Sequence, residues 1–225
     1  MKPINAHTKP YNPMSIELDV PGLYFSPEVI SLEEEQVILD HIKKDRGHYV
    51  SQIHPAYEFG WMFLRRQGRE CGFLSPLTRQ ESLGQFPSWL SNVWFNCIYR
   101  TNLPKEVTLE QHPDHVLVNE YTIGEGCMAH TDDVNFWTDW VMGLSLESGC
   151  TIILRQGNKS YPVYLPPRSI YVLTGDARYR YTHEIAPTRD DIVEGQLIPR
   201  THRTSLTFRM IHPNFLSNAV RTHFN

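Results

Sequence analysis

The residues of this chain best suited to chemistry are His130-Thr131-Asp132 and, well downstream, His183. On an extended segment, residues i and i+2 point to the same side. His130 and Asp132 can therefore grip one ion from one face. A second histidine from another segment, His183, completes a 2-His-1-carboxylate set. Such a set leaves three positions open on the metal and is the ligand set of non-haem Fe(II) oxygenases. Taken singly, each half has a plainer reading. An H-x-D step is also what a solvated surface pair looks like, and His183 alone also suits a satisfied core position. A second compact cluster, His112-Pro113-Asp114-His115, is bent by its proline and is expected to be an exposed turn.

Iron of this type is useful when a second molecule supplies electrons. 2-Oxoglutarate would chelate through its 1-carboxylate and 2-keto oxygen, leaving its 5-carboxylate some distance away. A buried carboxylate needs a partner, and arginine offers a planar, two-point match. The segment Arg203-Thr204-Ser205-Leu206-Thr207-Phe208-Arg209 supplies it. Arg203, Ser205, Thr207 and Arg209 are spaced by two, so as a strand they face one interior together. Two arginines on one side of an otherwise apolar strand are hard to explain as surface charge.

These residues need elements to position them. Gly22-Leu23-Tyr24-Phe25 reads as a short strand. Ser31-Leu32-Glu33-Glu34 has the form of a capping box. It opens a helix expected over 32–44, with Val37, Ile38 and Ile42 on its apolar face. Pro87 opens a second helix, with Trp89, Val93 and Cys97 on one row and Leu90, Trp94 and Ile98 on the next. Between them, 51–85 is irregular, broken by glycines and rich in aromatics. Short strands are then expected over 116–121, 140–146, 150–154, 163–165, 169–173, 179–183 and 205–211, separated by turn residues such as Gly157-Asn158 and Gly175-Asp176. Strands at this spacing argue for a barrel or sandwich. The expected class is α+β: two helices buttressing an antiparallel double sheet, with the site inside the sheet pair. The expected divisions are a tail over 1–20, helices and a substrate lid over 21–110, an oxygenase core over 111–213 and a tail over 214–225.

Composition bounds the setting. The 225 residues are 40% hydrophobic and 20% charged, ordinary for a folded domain with a real core. No apolar run reaches the ~18 residues that span a bilayer. The first residues lack the apolar core of a secretory signal, so work in the cytoplasm or nucleus, away from membranes, is expected. Cys71, Cys97, Cys127 and Cys150 form no C-x-x-C pair and are expected to be free thiols, with Cys127 open to oxidation beside His130. The net charge of −4 gives no support for a nucleic-acid footprint. Arg65, Arg66 and Arg69 in one stretch, and Arg178 and Arg180 in another, suit either solvated patches or phosphate contacts.

The motifs occur in a particular order: Asn119-Glu120-Tyr121, Gly124-Glu125-Gly126, His130-Thr131-Asp132, Gly175-Asp176-Ala177-Arg178-Tyr179, His183, then Arg203 and Arg209 six positions apart. That order resembles the AlkB family of Fe(II)/2-oxoglutarate dioxygenases, well over 116–211 and loosely over 20–100. The resemblance implies a double-stranded β-helix (jelly-roll) core with Fe(II) held by His130, Asp132 and His183. It implies that Asn119 and Tyr121 hydrogen-bond 2-oxoglutarate, that Arg203 pairs with its 5-carboxylate, and that Arg209 sits by the 1-carboxylate and Asp132. Where family members often carry asparagine, this chain has Ser205, which weakens one polar contact of the co-substrate set.

The chemistry implied is decarboxylation of 2-oxoglutarate to succinate, coupled to hydroxylation of a substrate carbon. If that carbon is an N-methyl group, formaldehyde leaves and the outcome is demethylation. Members of the family act on bases of DNA, on bases of RNA including tRNA, and on proteins such as histones. Base-acting members extrude the base and hold it between rings. The stretch from Tyr57 to Phe63 resembles their lid, with Trp61 and Phe63 as candidate stacking residues and core packing as the alternative. Asp133 is placed either to touch an exocyclic amine or to face water. Three functions are weighed: an oxygenase of nucleic acid, the same oxygenase acting on a basic protein such as a histone, and a non-catalytic binding module that retains the fold.

Overall fold

Capping chemistry starts the first helix where the sequence predicts. In the computed structural model, which describes residues 19–44, 50–52, 67–72, 86–101, 103 and 112–213, α1 runs Leu32–Lys44. Ser31 Oγ accepts a hydrogen bond from the Glu34 amide at 3.2 Å, and Glu34 Oε2 accepts one from the Ser31 amide at 2.8 Å. Two amides at the helix start are thereby satisfied reciprocally. The buried face differs by a small rotation. Ile38 and Ile42 are inside as expected, but Val37 is 55% exposed and Glu35 takes the inward place. Glu35 can be buried because its carboxylate accepts from the Glu147 amide at 2.7 Å and from Arg168 at 3.2 Å. The second helix, α2 (Ser88–Arg100), follows Pro87 and buries Leu90, Val93, Trp94 and Cys97.

Both helices pack on a seven-stranded antiparallel sheet. Numbered in chain order, its strands are arranged β1 (Leu23–Ser26), β9 (Ile170–Leu173), β6 (Val141–Leu146), β13 (Arg203–Arg209), β4 (His115–Tyr121), β3 (Gln67–Gly72) and β2 (Val50–Gln52). One hydrophobic cluster joins α1 and α2 to this sheet through Leu144, Val172, Leu206 and Phe208. At its centre Trp94 stacks on Trp140 at 4.9 Å, with Phe208 at 6.0 Å from Trp94.

The second sheet has four antiparallel strands in the order β5 (Cys127–His130), β10 (Thr182–Ile185), β7 (Cys150–Gln156) and β8 (Lys159–Leu165). A second cluster links the two sheets, with Leu23, Phe25 and Leu173 from one and Ile152, Leu154 and Leu165 from the other. The result is the double-stranded β-helix, helices buttressing one of two facing sheets. On β13 the alternation works as the spacing demands. Leu206 and Phe208 join the helix-side cluster, while Arg203, Ser205, Thr207 and Arg209 line the cleft between the sheets. No helix among the described residues is long and apolar enough to cross a membrane.

Two expectations are corrected, and one hairpin lies where no strand was expected. The strand expected over 179–183 is instead the end of a short helix, α3 (Gly175–Tyr179), and β10 begins only at Thr182. The backbone turns at Thr174 and Gly175, with the Arg178 amide on the Thr174 carbonyl at 3.1 Å. The Tyr-Arg-Tyr-Thr-His alternation was a coincidence of composition rather than a strand period. A separate hairpin, β11 (Asp190–Val193) and β12 (Gln196–Pro199), carries too many charges to read as strand. Its signal is the two-residue turn Glu194-Gly195, whose φ angles of 51° and 79° suit a type I′ hairpin. His112–His115 is no exposed turn, because His115 is wholly buried on β4 and packs against Trp137 with ring centroids 4.4 Å apart. Burial also pushes the Asp114 carboxyl up to about 7, against the opposing hydrogen bond from the Ile211 amide.

Candidate active site

Strand pairing brings the two histidines together. In the second sheet β5 pairs with β10 in a register that sets His130 opposite His183. Their rings lie 4.3 Å apart at 56°. Asp132 follows two residues after His130, just past the strand end, and its Oδ2 lies 3.7 Å from His183 Nε2. One donor atom from each of the three falls within 4.8 Å of the others, close enough to share one ion. His130 Nδ1 is 2.8 Å from the Met128 carbonyl. Donating a proton there leaves Nε2 as the lone pair of the neutral ring.

Charge around this group is arranged to favour one anion. Burial would raise the Asp132 carboxyl, but Arg209, His183, His130 and Arg178 outweigh it and hold the group well below the usual carboxylate range. The Arg209 guanidinium makes the shortest of these contacts, 2.7 Å from Nη2 to Oδ1. Arg209 also lies 5.0 Å over the ring of Trp137, which in turn meets His115 and Phe136. His183 behaves oppositely. Burial and the nearby His130 depress its pKa to about 3, in spite of Asp132. Its contact with Asp132 is therefore not an ion pair at neutral pH, and His183 presents a neutral imidazole.

The Asp132 loop is held by a residue the sequence offered as surface charge. Arg178 on α3 is 1% exposed. It donates to the carbonyls of Asp132 at 2.8 Å, Asp133 at 3.2 Å, Thr138 at 3.3 Å and Trp137 at 3.4 Å. Arg180, by contrast, is exposed and pairs with Asp176 at 3.3 Å. Asp133 Oδ1 accepts from the amides of Asn135 at 2.9 Å and Phe136 at 3.3 Å. That carboxylate thus shapes the same turn. Replacing Arg178 with methionine leaves several buried carbonyls without donors. The expected loss is about 3 kcal/mol of stability, or roughly 6–12 °C in Tm for a chain of this size. A thermal melt checks it, and hydrogen exchange should rise first around 132–138.

The cleft between the sheets is partly open to solvent and is lined by His130, Asp132 and His183 on one side. Its wall opposite the histidines comes from the first sheet, where β13 pairs with β4 so that Ser205 faces Asn119 and Arg203 faces Tyr121. The predicted set Asn119, Tyr121, Arg203, Ser205 and Arg209 is therefore assembled on one wall, and Ile152 and Leu165 line it from the second sheet. Arg203 is 5% exposed, its Nε donates to Ser145 Oγ at 3.0 Å, and its guanidinium lies 5.2 Å over the Tyr121 ring. Among the cleft-lining residues, three polar atoms are buried with no hydrogen-bond partner: Arg203 Nη1, Arg209 Nε and Asn119 Oδ1. Buried polar atoms are ordinarily satisfied. A cleft with two such arginine nitrogens fits a small dicarboxylate.

Sequence reasoning missed Ser145, Tyr171, Trp137 and the role of Arg178. A faint signal was Gly143 and Ser145, two small residues spaced by two in an otherwise apolar strand. Cys127 lines the cleft 3.6 Å from His130 Nδ1, and Cys97 and Cys150 are buried free thiols. Trp61 and Phe63, with Arg65 and Arg66, lie outside the described residues.

The profile of the 2OG-Fe(II) oxygenase superfamily matches residues 31–209 of the chain. Among curated proteins, an uncharacterized protein of Acanthamoeba polyphaga mimivirus is 43% identical over 46% of the chain and half of its own length. The "Alkylated DNA repair protein ALKBH8 homolog" of Arabidopsis thaliana is 28% identical over 91% of the chain and 63% of its own length. The "tRNA (carboxymethyluridine(34)-5-O)-methyltransferase ALKBH8" of Mus musculus is 29% identical over 88% of the chain. The chain spans only 32% of that mouse protein. Among solved structures, OsALKBH1 superposes with a TM-score of 0.57 at 17% identity, covering 84% of the chain and 98% of that structure. A Pseudomonas putida prolyl-4-hydroxylase gives 0.53 at 13% identity, covering 85% and 93%, so both share the fold. The family-wide match and a His-Asp-His group able to share one ion agree: this chain belongs to the 2OG-Fe(II) oxygenase superfamily, whose members use Fe(II) and 2-oxoglutarate, and it is similar to AlkB-like members of it.

Proposed function

We propose that the chain oxidises a nucleic-acid base, with His130, Asp132 and His183 holding Fe(II) and the opposite wall holding 2-oxoglutarate. The observation that carries the co-substrate assignment is the pair of buried, unpartnered nitrogens on Arg203 and Arg209 in the same cleft as the triad. The substrate assignment rests on relatives along most of the chain whose names refer to alkylated DNA and to tRNA. Methyl transfer, named for proteins of which this chain spans about a third, is not carried over.

When bound, iron and 2-oxoglutarate supply the oxidising step, in which one oxygen of O2 ends in succinate and the other in a substrate C–H bond. The chain's own residues do the rest. Arg203, Asn119, Tyr121 and Ser205 orient the co-substrate. Arg209 holds Asp132 in line and faces the 1-carboxylate. Ile152 and Leu165 keep that end of the cleft dry, which strengthens every charge contact within it. In this reading, 111–213 is the oxygenase core and 21–110 carries the buttressing helices, and Trp61 and Phe63, outside the described residues, are the proposed stacking partners of an extruded base. Asp133, whose Oδ1 holds the 135–136 turn beside the metal ligand, would reach the substrate only through its second carboxylate oxygen.

Metal affinity should depend on pH through His130. Burial lowers its pKa, but Cys127, Asp132 and the Met128 carbonyl outweigh this and raise it above the ordinary 6.5. A proton competes with the metal for this ring. Mn(II) or Fe(II) affinity is therefore expected to fall on acidification, starting above pH 6.5. His183, with its pKa depressed to about 3, should contribute nothing to that fall. Anaerobic Mn(II) titrations between pH 5.5 and 8.5 check this, and a flat profile would remove His130 from the ligand set.

The test of function is anaerobic loading with Fe(II) and 2-oxoglutarate, then succinate release in air against methylated DNA, methylated RNA, tRNA and histones. Succinate that rises with one nucleic acid supports the proposal and names the class. Stimulation by histones alone moves the substrate to protein, a reading that the net charge of −4 favours. Ligand binding with no turnover on any class would favour the non-catalytic binding module.

A further inference from the structure

Strand β5 does not pair evenly with β10. His130 stands opposite His183, yet the partner of Ile185 is Cys127. Two steps along β10 therefore match three along β5, and the extra residue makes a β-bulge at Met128 and Ala129. In a regular strand, residues three apart face opposite sides. The bulge cancels that alternation, so Cys127 and His130 both line the cleft, while Met128 is 40% exposed. Gly126 sets where the bulge begins. A Cβ there would stand 2.2 Å from the Ile185 carbonyl oxygen and 3.0 Å from the Ala186 carbonyl carbon. Only glycine lets the two backbones approach so closely. Cys127 is thereby seated against the end of β10.

The bulge brings one carbonyl to the metal ligand. Met128 O lies 2.8 Å from His130 Nδ1, and the ring N–H donates to it, which leaves Nε2 for an ion. The Cys127 thiol closes a triangle on this pair. It donates to the same Met128 carbonyl at 3.7 Å, and its Sγ lies 3.6 Å from His130 Nδ1. A carbonyl oxygen has two lone pairs, so it accepts the ring N–H and the S–H together. The torsion that aims an imidazole is a broad one, with no sharp minimum of its own. The direction of the ring is therefore set by what holds Nδ1. Among the described residues β5 is the edge strand of its sheet, so no further strand stiffens the bulge from outside. The thiol is the side chain that does so from within the cleft.

We propose that Cys127 is a positioning residue of the metal centre: its thiol holds the Met128 carbonyl on the bulge of β5 and, through it, the tautomer and direction of the His130 ring. The inference rests on His130 as a metal ligand. Cys127 acts through that ring and is not a fourth donor. Its sulfur lies beside Nδ1, the nitrogen turned away from the ion, and it is outside the group of donor atoms that fall within 4.8 Å of one another. Metal affinity thus depends on a hydrogen-bond donor at position 127 and not on the volume there.

The test compares Cys127→Ser, which keeps a donor, with Cys127→Val, which keeps the volume and removes the donor. Anaerobic calorimetric titration with Mn(II) reads affinity, and the electronic spectrum of the Co(II)-loaded protein reads ligand geometry. Outer partners of metal-binding histidines change metal affinity by about 10–100-fold. A thiol is a weak donor, so Cys127→Val should bind Mn(II) about tenfold more weakly, with shifted Co(II) bands. Cys127→Ser should recover most of that affinity and the wild-type spectrum. Circular dichroism of the metal-free proteins checks that each is folded, and Cys127→Ala replaces Cys127→Val if the latter is not. Equal Mn(II) affinity in wild type and Cys127→Val would overturn the proposal while His130 remains a ligand. Equal losses in Cys127→Ser and Cys127→Val would overturn it too, and make position 127 a packing contact. If the wild type holds no Mn(II), the metal site fails and this inference with it.

Discussion

Asp132→Ala is expected to lose metal binding and 2-oxoglutarate turnover together, with succinate release falling at least 10³-fold, to the protein-free background. Three donors share one ion in this site, and the carboxylate is the one that carries charge. Two neutral imidazoles cannot replace it, because His183 is neutral and His130 must give up its proton to bind. The substitution also strands buried Arg209, whose guanidinium is 2.7 Å from Asp132. Removing one member of a buried pair typically costs about 3–5 kcal/mol. The metal-free variant should therefore melt at a lower temperature as well. Asp132→Asn separates the two effects, since it keeps the volume and one oxygen but not the charge. It too should fail to hold Mn(II) while staying folded. Retained turnover in either variant would remove Asp132 from the metal site.

The sign of the pH effect on the metal-free fold follows from the same contacts. The Asp132 carboxyl is held below its ordinary 3.8 by Arg209 and the other cations, which outweigh its burial. Its contribution to stability is complete above that ordinary value and is lost only as pH falls through the depressed one. The wild type should thus lose stability on strong acidification more steeply than Asp132→Asn does, as acid titrations of the metal-free proteins would read.

The second large effect is expected at Arg203. Arg203→Ala should raise the 2-oxoglutarate concentration needed for half-maximal succinate release roughly 10²-fold, since loss of one partner of a buried, hydrogen-bonded charge pair costs about 2–5 kcal/mol. The maximal rate should change far less, because Arg203 holds the end of the co-substrate remote from the reacting carbon. Its geometry supports this division. Ser145 fixes Nε at 3.0 Å, the Tyr121 ring supports the guanidinium at 5.2 Å, and Nη1 is left for a ligand. Arg203→Lys keeps a charge but loses the planar fork, and should fall between the wild type and Arg203→Ala. An unchanged requirement for 2-oxoglutarate would place its distal carboxylate elsewhere.

How much of this was legible beforehand depends on the range of the interaction. The capping box at Ser31, the helical rows of α2 and the alternation of β13 are local patterns, and each is found where it was expected. The donor types His130, Asp132 and His183, and the arginines six positions apart, are likewise a property of the chain. Local pattern failed where two periods compete or where a distant partner decides. Val37 and Glu35 lie about 200° apart around the helix, and the Arg168 and Glu147 contacts hold Glu35 inward and leave Val37 exposed. The Tyr-Arg-Tyr run before His183 alternates like a strand, yet Tyr179 closes the helix that starts at Gly175, Arg180 caps it, and the strand begins only at Thr182.

The sequence by itself therefore determined the chemistry on offer: an iron-binding donor set, a pair of arginines on one strand face, and a β-rich frame to carry them. The tertiary structure decided how these meet. The register of β5 against β10 sets His130 opposite His183, and β13 between β4 and β6 gathers Asn119, Tyr121, Ser145 and Arg203 around one cleft. It turned Arg178 from apparent surface charge into the clamp on the Asp132 loop, and it bulged β5 so that Cys127 and His130 both face the cleft. The reason is physical: periodicity fixes which way a side chain faces along its own strand, whereas the neighbour it meets is set by strand order and register, which a single segment does not encode.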